Sequence, residues 1–363
     1  MSTARVVGIV PDGPADLAGT AKPGRRRDLV DAAFYTRGGR NMASSLVEKR
    51  DIDFILYEQF DILELTKKEK FSYFSKDEFD MTIEQALKFA ENDLATVNQD
   101  GDRIGAKWDN GKVTVPASFH GPLKTYGEAG WVSAADDPDV GGQGLPMSVF
   151  TACNEMFHAA NTAINLYPGL AHGAGKLIEL YGTEEQKRKY LVPLASGEHV
   201  GAFALPEPEA GSAPSSLKTS AVKNGRSYVI NGTKQFITNA TDADVAIIMA
   251  MTDRSQGRRG ISSFVVEKGT PGFFVSKVEK KLGMRGSPTA SLTFEDCKIP
   301  KEKLIGQEGE GYKQALTTLE GGRLSIGALA LGIGQAAFDA ALSYAKQREA
   351  FGQPIGKFQM IQA

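Results

Sequence analysis

The spacing of apolar residues changes twice along the chain. From Asp51 onward they recur three and four positions apart, which is typical of amphipathic helices. From Ser227 they alternate every second position in short segments separated by glycine- and proline-containing turns, a pattern that predicts strands. From Gly311 the helical spacing returns. The pattern predicts an α+β multidomain protein with an N-terminal all-α domain, a central antiparallel β-domain and the start of a C-terminal helical bundle.

The same pattern sets the expected boundaries of four regions. Residues 1–41 are rich in Gly, Pro, Ala and Arg without a sustained period, so we interpret them as a disordered extension or a start artefact. The helical domain is predicted over 42–198, the β-domain over 199–312 and the partial helical bundle over 313–363. A new helix begins at Lys357 and the sequence stops at Ala363, so we expect the chain to be truncated inside that last domain.

Two helix starts carry a complete local signal. Ser75 precedes Glu78 by three positions and Thr183 precedes Gln186 by the same spacing, and each pair fits the capping box. Each side chain in such a box binds a backbone N–H group that the first helical turn leaves unpaired. The sequence therefore predicts that helices begin after Ser75 and after Thr183.

A turn signal lies inside the β-domain. Asn231-Gly232 separates the apolar segments Ser227–Ile230 and Thr233–Thr238, and this dipeptide is typical of a two-residue type I′ hairpin. We therefore expect these two segments to form a hairpin.

Composition excludes several classes of function. The net charge of −2 provides no general attraction for nucleic acid or for an anionic membrane. The two cysteines, Cys153 and Cys297, form neither a disulfide framework nor a CxxC metal pair, and the four histidines show no ligand spacing. We therefore expect no metal site, and a reducing, cytoplasmic location fits the cysteine content. No uninterrupted apolar run reaches the length of a bilayer span.

Two glycine-rich stretches invite a ligand-binding interpretation. Trp131 and the glycines between residues 130 and 145 either line a site or simply connect two helices. Gly332, Gly334 and Ala337 match the GxGxxA dinucleotide fingerprint by letter. The fingerprint requires a strand-to-helix turn, whereas these residues lie within a helical pattern, so we reject a Rossmann site.

The stretch Phe203–Ser212 separates the helical region from the strands. Pro206 and Pro208 exclude a helix interior or a central strand, which is compatible with a stiff linker. Gly211 and Ser212 instead offer bare backbone and a hydroxyl to which a ligand can come close.

Five segments in the same order resemble the acyl-CoA dehydrogenase family. The segments are Gly130–Leu145, Phe203–Ser212, Lys234–Asn239, Lys281–Pro300 and Arg348–Gln359. The second and third are similar to the family's two flavin-binding segments. The helical region from Asp51 resembles the larger members, including the methylmercaptopropionyl-CoA dehydrogenases.

The resemblance implies a fold and a reaction. The family fold is a helical domain, a β-domain and a helical bundle, with non-covalent FAD bound across a subunit interface. The implied reaction is α,β-dehydrogenation of an acyl-CoA thioester, in which a glutamate removes the α-proton and the β-hydride goes to flavin N5. The implied partners are an electron-transfer flavoprotein and further copies of the same chain, with no nucleic acid and no membrane span.

The resemblance also implies site residues. Cofactor contacts are expected from Phe203, Leu205, Pro206, Gly211, Ser212, Phe236, Ile237, Thr238, Arg348, Phe351 and Gln359. Of these, Arg348 and Phe351 match residues that reach the FAD of a neighbouring subunit. Substrate contacts are expected from Ser212, Glu320 and Arg323.

Two departures from the family pattern affect the expected chemistry. Most relatives carry the catalytic glutamate beyond the position matching Ala363, and a minority carry it where this chain has Gly322, so no catalytic base is assigned. Pro206 replaces a threonine at the flavin edge and supplies neither a hydroxyl nor an N–H group. Two hypotheses follow: an incomplete form of an FAD-dependent dehydrogenase, or a non-catalytic flavin- and acyl-CoA-binding subunit whose partner supplies the base.

Overall fold

The computed structural model describes residues 46–109 and 112–363, so the predictions for residues 1–41 fall outside it. Most α-helices lie at the two ends of this region and most strands lie between them. The helices are α1 Lys49–Asp53, α2 Lys76–Phe89, α3 Asn98–Arg103, α4 His120–Glu128, α5 Met147–Tyr181, α6 Glu184–Gln186, α7 Val192–Ala195, α8 Gly311–Gln347 and α9 Gln359–Gln362. Short 3₁₀ and π turns extend or connect several of them.

The strands form one large sheet and two small hairpins. The strands are β1 Lys107–Asp109, β2 Lys112–Thr114, β3 Gly201–Ala204, β4 Ser220–Asn224, β5 Ser227–Thr238, β6 Val245–Met251, β7 Ile261–Glu267, β8 Phe273–Val278, β9 Thr289–Pro300, β10 Leu304–Ile305, β11 Glu349–Ala350 and β12 Gln353–Pro354. The large sheet has the order β10-β7-β6-β4-β5-β9-β8, with β3 paired to β6. The predicted fold class is confirmed: helical region, β-domain, then helix.

The sheet is antiparallel apart from the pairing of β3 and of β4 with β6. β3 runs parallel to β6, with Phe203 opposite Ile247, and Ser220 of β4 pairs with Met251 in the same sense. β3 arrives directly from the helical domain and not from a hairpin, so its direction is not dictated by a turn. It brings Phe203 to the boundary between the two domains.

The hairpin predicted at Asn231-Gly232 is wrong. β5 continues through both residues, and the register against β9 shifts between Ile230 and Gly232. The Asn231 side chain accepts a hydrogen bond from Asp296 N at 2.8 Å and donates one to Asp296 Oδ1 at 3.2 Å. These cross-strand bonds hold a bulge where the local signal favours a reversal. The chain reverses instead between β4 and β5, where Gly225 has φ +60°.

Both predicted capping boxes are confirmed. Ser75 and Glu78 bind each other's backbone at the start of α2. Thr183 N donates to Gln186 Oε1 at 3.0 Å, and Gln186 N donates to Thr183 Oγ1 at 3.2 Å. The local signals were sufficient at these two positions because the partners are only three residues apart.

The long helix α5 is the centre of the helical domain. Many of its side chains are fully buried, including Met156, Phe157 and Ile164. Trp131 packs edge-on against Phe157, with ring centroids 5.1 Å apart. Trp131 is therefore a core residue, which favours the connecting interpretation of the glycine-rich loop.

Helix α8 crosses α5 at a glycine. A Cβ atom on Gly332 would lie 2.3 Å from the carbonyl oxygen of Glu155, so only glycine permits this approach. The GxGxxA letters thus lie inside a helix, as expected, and at a helix–helix contact. Within the described residues, α8 is the one helix long and apolar enough to cross a membrane by length and composition, although it contains no uninterrupted apolar run of that length. The expectation counted only uninterrupted apolar runs, whereas alanines and glycines supply much of this helix.

Candidate functional site

The end of β3 and the end of β5 are joined where the sequence places its candidate ligand residues. Gln235 N donates to the Pro206 carbonyl oxygen at 2.9 Å. The Lys234 ammonium donates to the Leu205 carbonyl oxygen at 3.1 Å. These bonds fasten the segment 203–212 to the segment 234–239. We refer to the two segments together as the ligand wall.

A buried ion pair lies within this wall and joins its two segments. Lys234 Nζ is 2.7 Å from Glu207 Oε1, and both side chains are almost completely inaccessible to solvent. Glu207 also accepts hydrogen bonds from Lys218 N at 2.6 Å and Thr219 N at 3.1 Å. Each charge therefore has a partner, which a buried ion requires. The pair fixes the turn Glu207–Ala210, whose residues exchange backbone hydrogen bonds.

The environment shifts both pKa values. Burial lowers the pKa of Lys234 to about 8, although the adjacent carboxylate opposes the shift. Burial alone would raise the pKa of Glu207, but Lys234 and the backbone donors outweigh it and hold this pKa below its usual value. Near pH 7 the pair is charged on both sides. Glu207 is consequently a poor proton acceptor.

Phe236 is held in the open by an unusual backbone. The β5–β9 register shifts again between Lys234 and Ile237, and Phe236 within this bulge has φ +58°. Its side chain is 60% exposed, whereas its neighbour Ile237 is buried in the β-domain core. A left-handed aromatic residue is a backbone outlier, and such strain is characteristic of functional sites. Any contact of Ile237 with a ligand would come from its backbone.

Asn239 anchors the wall to both domains. Its side-chain amide donates to the Tyr167 carbonyl oxygen at 3.0 Å and to the Gly201 carbonyl oxygen at 3.1 Å. Its neighbour Thr238 pairs with Thr289 and remains half-buried. Thr238 thus lies directly before the residue that ties β5 to helix α5.

The far end of the wall is open. Gly211 and Ser212 are exposed, and a Cβ atom added to Gly211 would meet nothing within 4 Å. Ala210 before them is buried. The segment therefore leaves room for a ligand to approach its backbone and the Ser212 hydroxyl.

Helix α8 carries the predicted substrate residues Glu320 and Arg323, and both are exposed. Gly322 lies between them, and a Cβ atom there would also meet nothing within 4 Å. Arg348 follows the last residue of α8, roughly 35–40 Å from Arg323 at 1.5 Å per residue. Phe351, 96% exposed with φ +53°, and Gln359 lie beyond it. The structure does not bring these last three residues to the ligand wall of the same chain.

The sequence interpretation missed Glu207 and Lys234 as a unit. Both residues lie inside the segments that were identified, but their 27-residue separation gives no local sign of pairing. A lysine in a strand normally indicates a solvated face. The feature that could have indicated the buried pair is the position of Lys234 in β5, immediately before the bulge.

The wall suits a planar aromatic group attached to phosphates. Phe236 offers a ring face, Thr238 a hydroxyl, and Gly211-Ser212 an uncrowded backbone donor. Pro206 contributes a carbonyl oxygen that already accepts from Gln235, and it has no N–H group. No group of three or more metal-ligating side chains occurs among residues 46–109 and 112–363.

Three family models match consecutive parts of the chain. The acyl-CoA dehydrogenase N-terminal domain matches residues 76–198, the middle domain matches 202–297 and the C-terminal domain matches 309–363. The ligand wall therefore lies within the middle domain, and α8 lies within the C-terminal helical domain.

Individual relatives agree. The short-chain specific acyl-CoA dehydrogenase of Clostridium acetobutylicum is 42% identical over 289 residues, which span 78% of this chain and 73% of that protein. The solved butyryl-CoA dehydrogenase of Megasphaera elsdenii is 37% identical with a TM-score of 0.71, over 80% of this chain and 74% of that one. A structure described as an electron transferring flavoprotein of Acidaminococcus fermentans is 42% identical with a TM-score of 0.72, over the same shares. The chain belongs to the acyl-CoA dehydrogenase family, whose oxidoreductases depend on FAD.

Proposed function

We propose that the ligand wall binds the flavin of FAD and the thioester end of an acyl-CoA, and that the chain takes part in α,β-dehydrogenation of short acyl-CoA substrates. The observation that carries the proposal is the joint placement of Phe236 and Thr238 at the fastened ends of β3 and β5. The short-chain preference is supported by the names of the relatives given above.

Residues of the wall and of α8 have separate tasks in this proposal. Phe203 and Phe236 provide apolar surface for the ring system, and the Thr238 hydroxyl hydrogen-bonds near its reactive edge. Ser212, Glu320 and Arg323 hold the substrate. Bound FAD supplies the acceptor for the β-hydride. The buried Glu207–Lys234 pair keeps the two segments in register without touching the substrate.

Proton abstraction requires a carboxylate that is free to accept the proton. Glu207 is excluded because it is bound to Lys234, Lys218 and Thr219. Glu320 is exposed on α8 and is assigned to substrate binding. We therefore propose that the base is supplied by a group outside the described residues.

The test uses the full chain with FAD and butyryl-CoA under anaerobic conditions. We expect a flavin absorbance spectrum that butyryl-CoA perturbs without bleaching. In Gly322→Glu we expect bleaching at least about 100-fold faster, since a positioned general base contributes on the order of 10²–10⁴ in rate. Gly321→Glu is the matched control, because it adds the same carboxylate one position away.

Each result decides a separate point. Bleaching of the unsubstituted chain would contradict the missing base, and failure to retain FAD would contradict the flavin site. Equal rates in the two glutamate variants would show that position 322 is not next to the substrate.

The second candidate, a non-catalytic subunit that binds flavin and acyl-CoA for a partner, is favoured by Gly322 and Pro206. It predicts that bleaching appears when a base-bearing homologue is mixed with this chain. For the catalytic form, the similarity to a structure described as an electron transferring flavoprotein supports such a protein as electron acceptor. We further propose a cytoplasmic location and a homo-oligomer in which Arg348, Phe351 and Gln359 contact the FAD of another copy.

A further inference from the structure

The connection between β6 and β7 is an exposed loop with three arginines. It contains the 3₁₀ turn Arg254–Gly260. Hydrogen bonds close the loop: Thr252 N donates to the Gly260 carbonyl oxygen at 2.8 Å, and Asp253 Oδ1 accepts from Ser255 N at 2.9 Å. A Cβ atom on Gly260 would lie only 1.7 Å from the Asp253 carbonyl oxygen, so the turn has no room for another residue type.

This loop contacts two segments that adjoin the candidate site in sequence. At one end, Arg254 Nη2 donates to the Lys218 carbonyl oxygen at 3.0 Å, six residues after Ser212. At the other end, the Arg259 carbonyl oxygen would lie 2.4 Å from a Cβ atom on Gly309, in the turn that precedes α8. The loop therefore lies against the segment that follows Ser212 and against the turn that precedes the helix carrying Arg323.

Most charged groups around the loop already have an ion-pair or hydrogen-bond partner. Lys218 pairs with Glu209, and Glu308 pairs with Lys223 at 3.1 Å. The Asp253 carboxylate is bound by Ser255 through its backbone N–H at 2.9 Å and its hydroxyl at 2.7 Å. Glu310 Oε2 accepts from Gln307 N at 3.2 Å.

Two guanidinium groups remain available. Arg258 and Arg259 are exposed, and neither forms an ion pair or a side-chain hydrogen bond in the part of the chain that the structure describes. Lys313 is exposed in the first turn of α8, the helix whose preceding turn approaches this loop at Gly309. The loop thus carries three arginines against one acidic residue, Asp253, on a chain whose overall charge is −2.

We propose that Arg258 and Arg259 bind the 3′-phosphate at the adenosine end of the CoA portion of the substrate. A phosphate dianion matches the fork of a guanidinium group, which binds two oxygens at once. A preformed loop loses little conformational freedom on binding, which favours affinity. The inference rests on the proposed function, because it assigns the far end of the same acyl-CoA whose thioester lies at the ligand wall.

The test compares CoA with dephospho-CoA, which lacks only the 3′-phosphate. Isothermal titration calorimetry is performed on the full chain loaded with FAD, at low and at physiological salt. For Arg258→Gln/Arg259→Gln we expect the Kd for CoA to rise about tenfold or more at low salt, as loss of charge-assisted bonds predicts. The Kd for dephospho-CoA should stay unchanged. Arg188→Gln, an exposed arginine on the helical domain, is the matched control and should bind both ligands normally.

The outcomes separate this assignment from the proposed function. Unchanged CoA affinity in the double variant, or an equal loss for CoA and dephospho-CoA, would overturn the 3′-phosphate assignment alone. Failure of the unsubstituted chain to bind either ligand would overturn the acyl-CoA function and this assignment together. Retention of the FAD spectrum and the unfolding temperature in the variants shows that any loss of affinity is local.

Discussion

The ligand wall and helix α8 are built in opposite ways. In the wall, buried groups hold one another: Lys234 and Glu207 are paired, and the Leu205 carbonyl oxygen is bound. Along α8, large apolar side chains remain exposed, including Leu324, Ile326, Leu331, Phe338 and Leu342. The contrast teaches that this single chain completes its β-domain wall internally. Helix α8 instead leaves an apolar surface exposed, of the kind that is typical of interaction sites.

The buried pair in the wall should be the most sensitive point. Lys234→Met leaves Glu207 as a buried, unpaired carboxylate, so we expect unfolding to become easier by about 3–5 kcal/mol. The matched variant Lys218→Met removes the exposed partner of Glu209 and should cost less than about 1 kcal/mol. Chemical denaturation followed by circular dichroism measures both. Similar losses in the two variants would contradict the distinction between the buried and exposed pairs.

The helix crossing offers the next largest effect. Gly332→Ala places a Cβ atom 2.3 Å from the Glu155 carbonyl oxygen and should destabilise the chain by about 1–3 kcal/mol. Gly334→Ala, one of the neighbouring glycines with nothing within 4 Å, should instead stabilise it by roughly 0.5–1 kcal/mol. Thermal denaturation of the pair gives the sign of each change. A stabilised Gly332→Ala would show that α8 does not pack against α5 at this residue.

A substitution at the exposed C-terminal end of α8 tests whether another copy completes the flavin site. Because Arg348 lies far from the wall of its own chain, we expect Arg348→Gln to weaken FAD binding about tenfold only if copies associate, a loss typical of one charge-assisted contact. Lys346→Gln, two positions earlier, should have no effect. Flavin fluorescence titration combined with sedimentation supplies the measurement. A monomeric chain with unchanged FAD affinity would refute the shared site.

The smallest effect concerns the junction between helical and β-domains. Burial opposes ionisation of Glu267, but Lys189, Lys303 and Tyr190 bind it and lower its pKa to about 2. A depressed folded-state pKa gives stability that is present above the unfolded value, about 4.3, and is lost as the pH falls toward 2. In Glu267→Gln, the free energy of unfolding should therefore change less with pH in that window. Glu209→Gln, at an exposed pair, should leave this pH dependence unaltered. The same change in both variants would show that Glu267 is not its cause.

Parts of the fold could be predicted because their causes are local. The capping boxes at Ser75 and Thr183 involve partners three residues apart, and both occur in the structure. The change of period from helix to strand and back follows from which face each element buries. The change of period was enough to predict the order of the three regions, and the capping boxes were enough to predict where two helices begin.

Other features depend on partners that are distant in sequence. Asn231-Gly232 has the local chemistry of a hairpin, but its bonds to Asp296 hold it in a continuous strand. Trp131, which the loop composition left open as a site residue, is buried against Phe157. Neither outcome could be read from the neighbouring residues, since the deciding contact comes from another element.

The sequence by itself determined the order of the regions, the helix starts and the segments that resemble a flavin site, because each depends on short-range pattern or on a contiguous motif. Only the tertiary structure decided that Lys234 neutralises Glu207, that Phe236 projects from a bulge, and that Arg348 is remote from the wall. Packing between residues that are distant in sequence decides which side chains become buried partners and which stay exposed. The spacing of residues along the chain does not show these contacts.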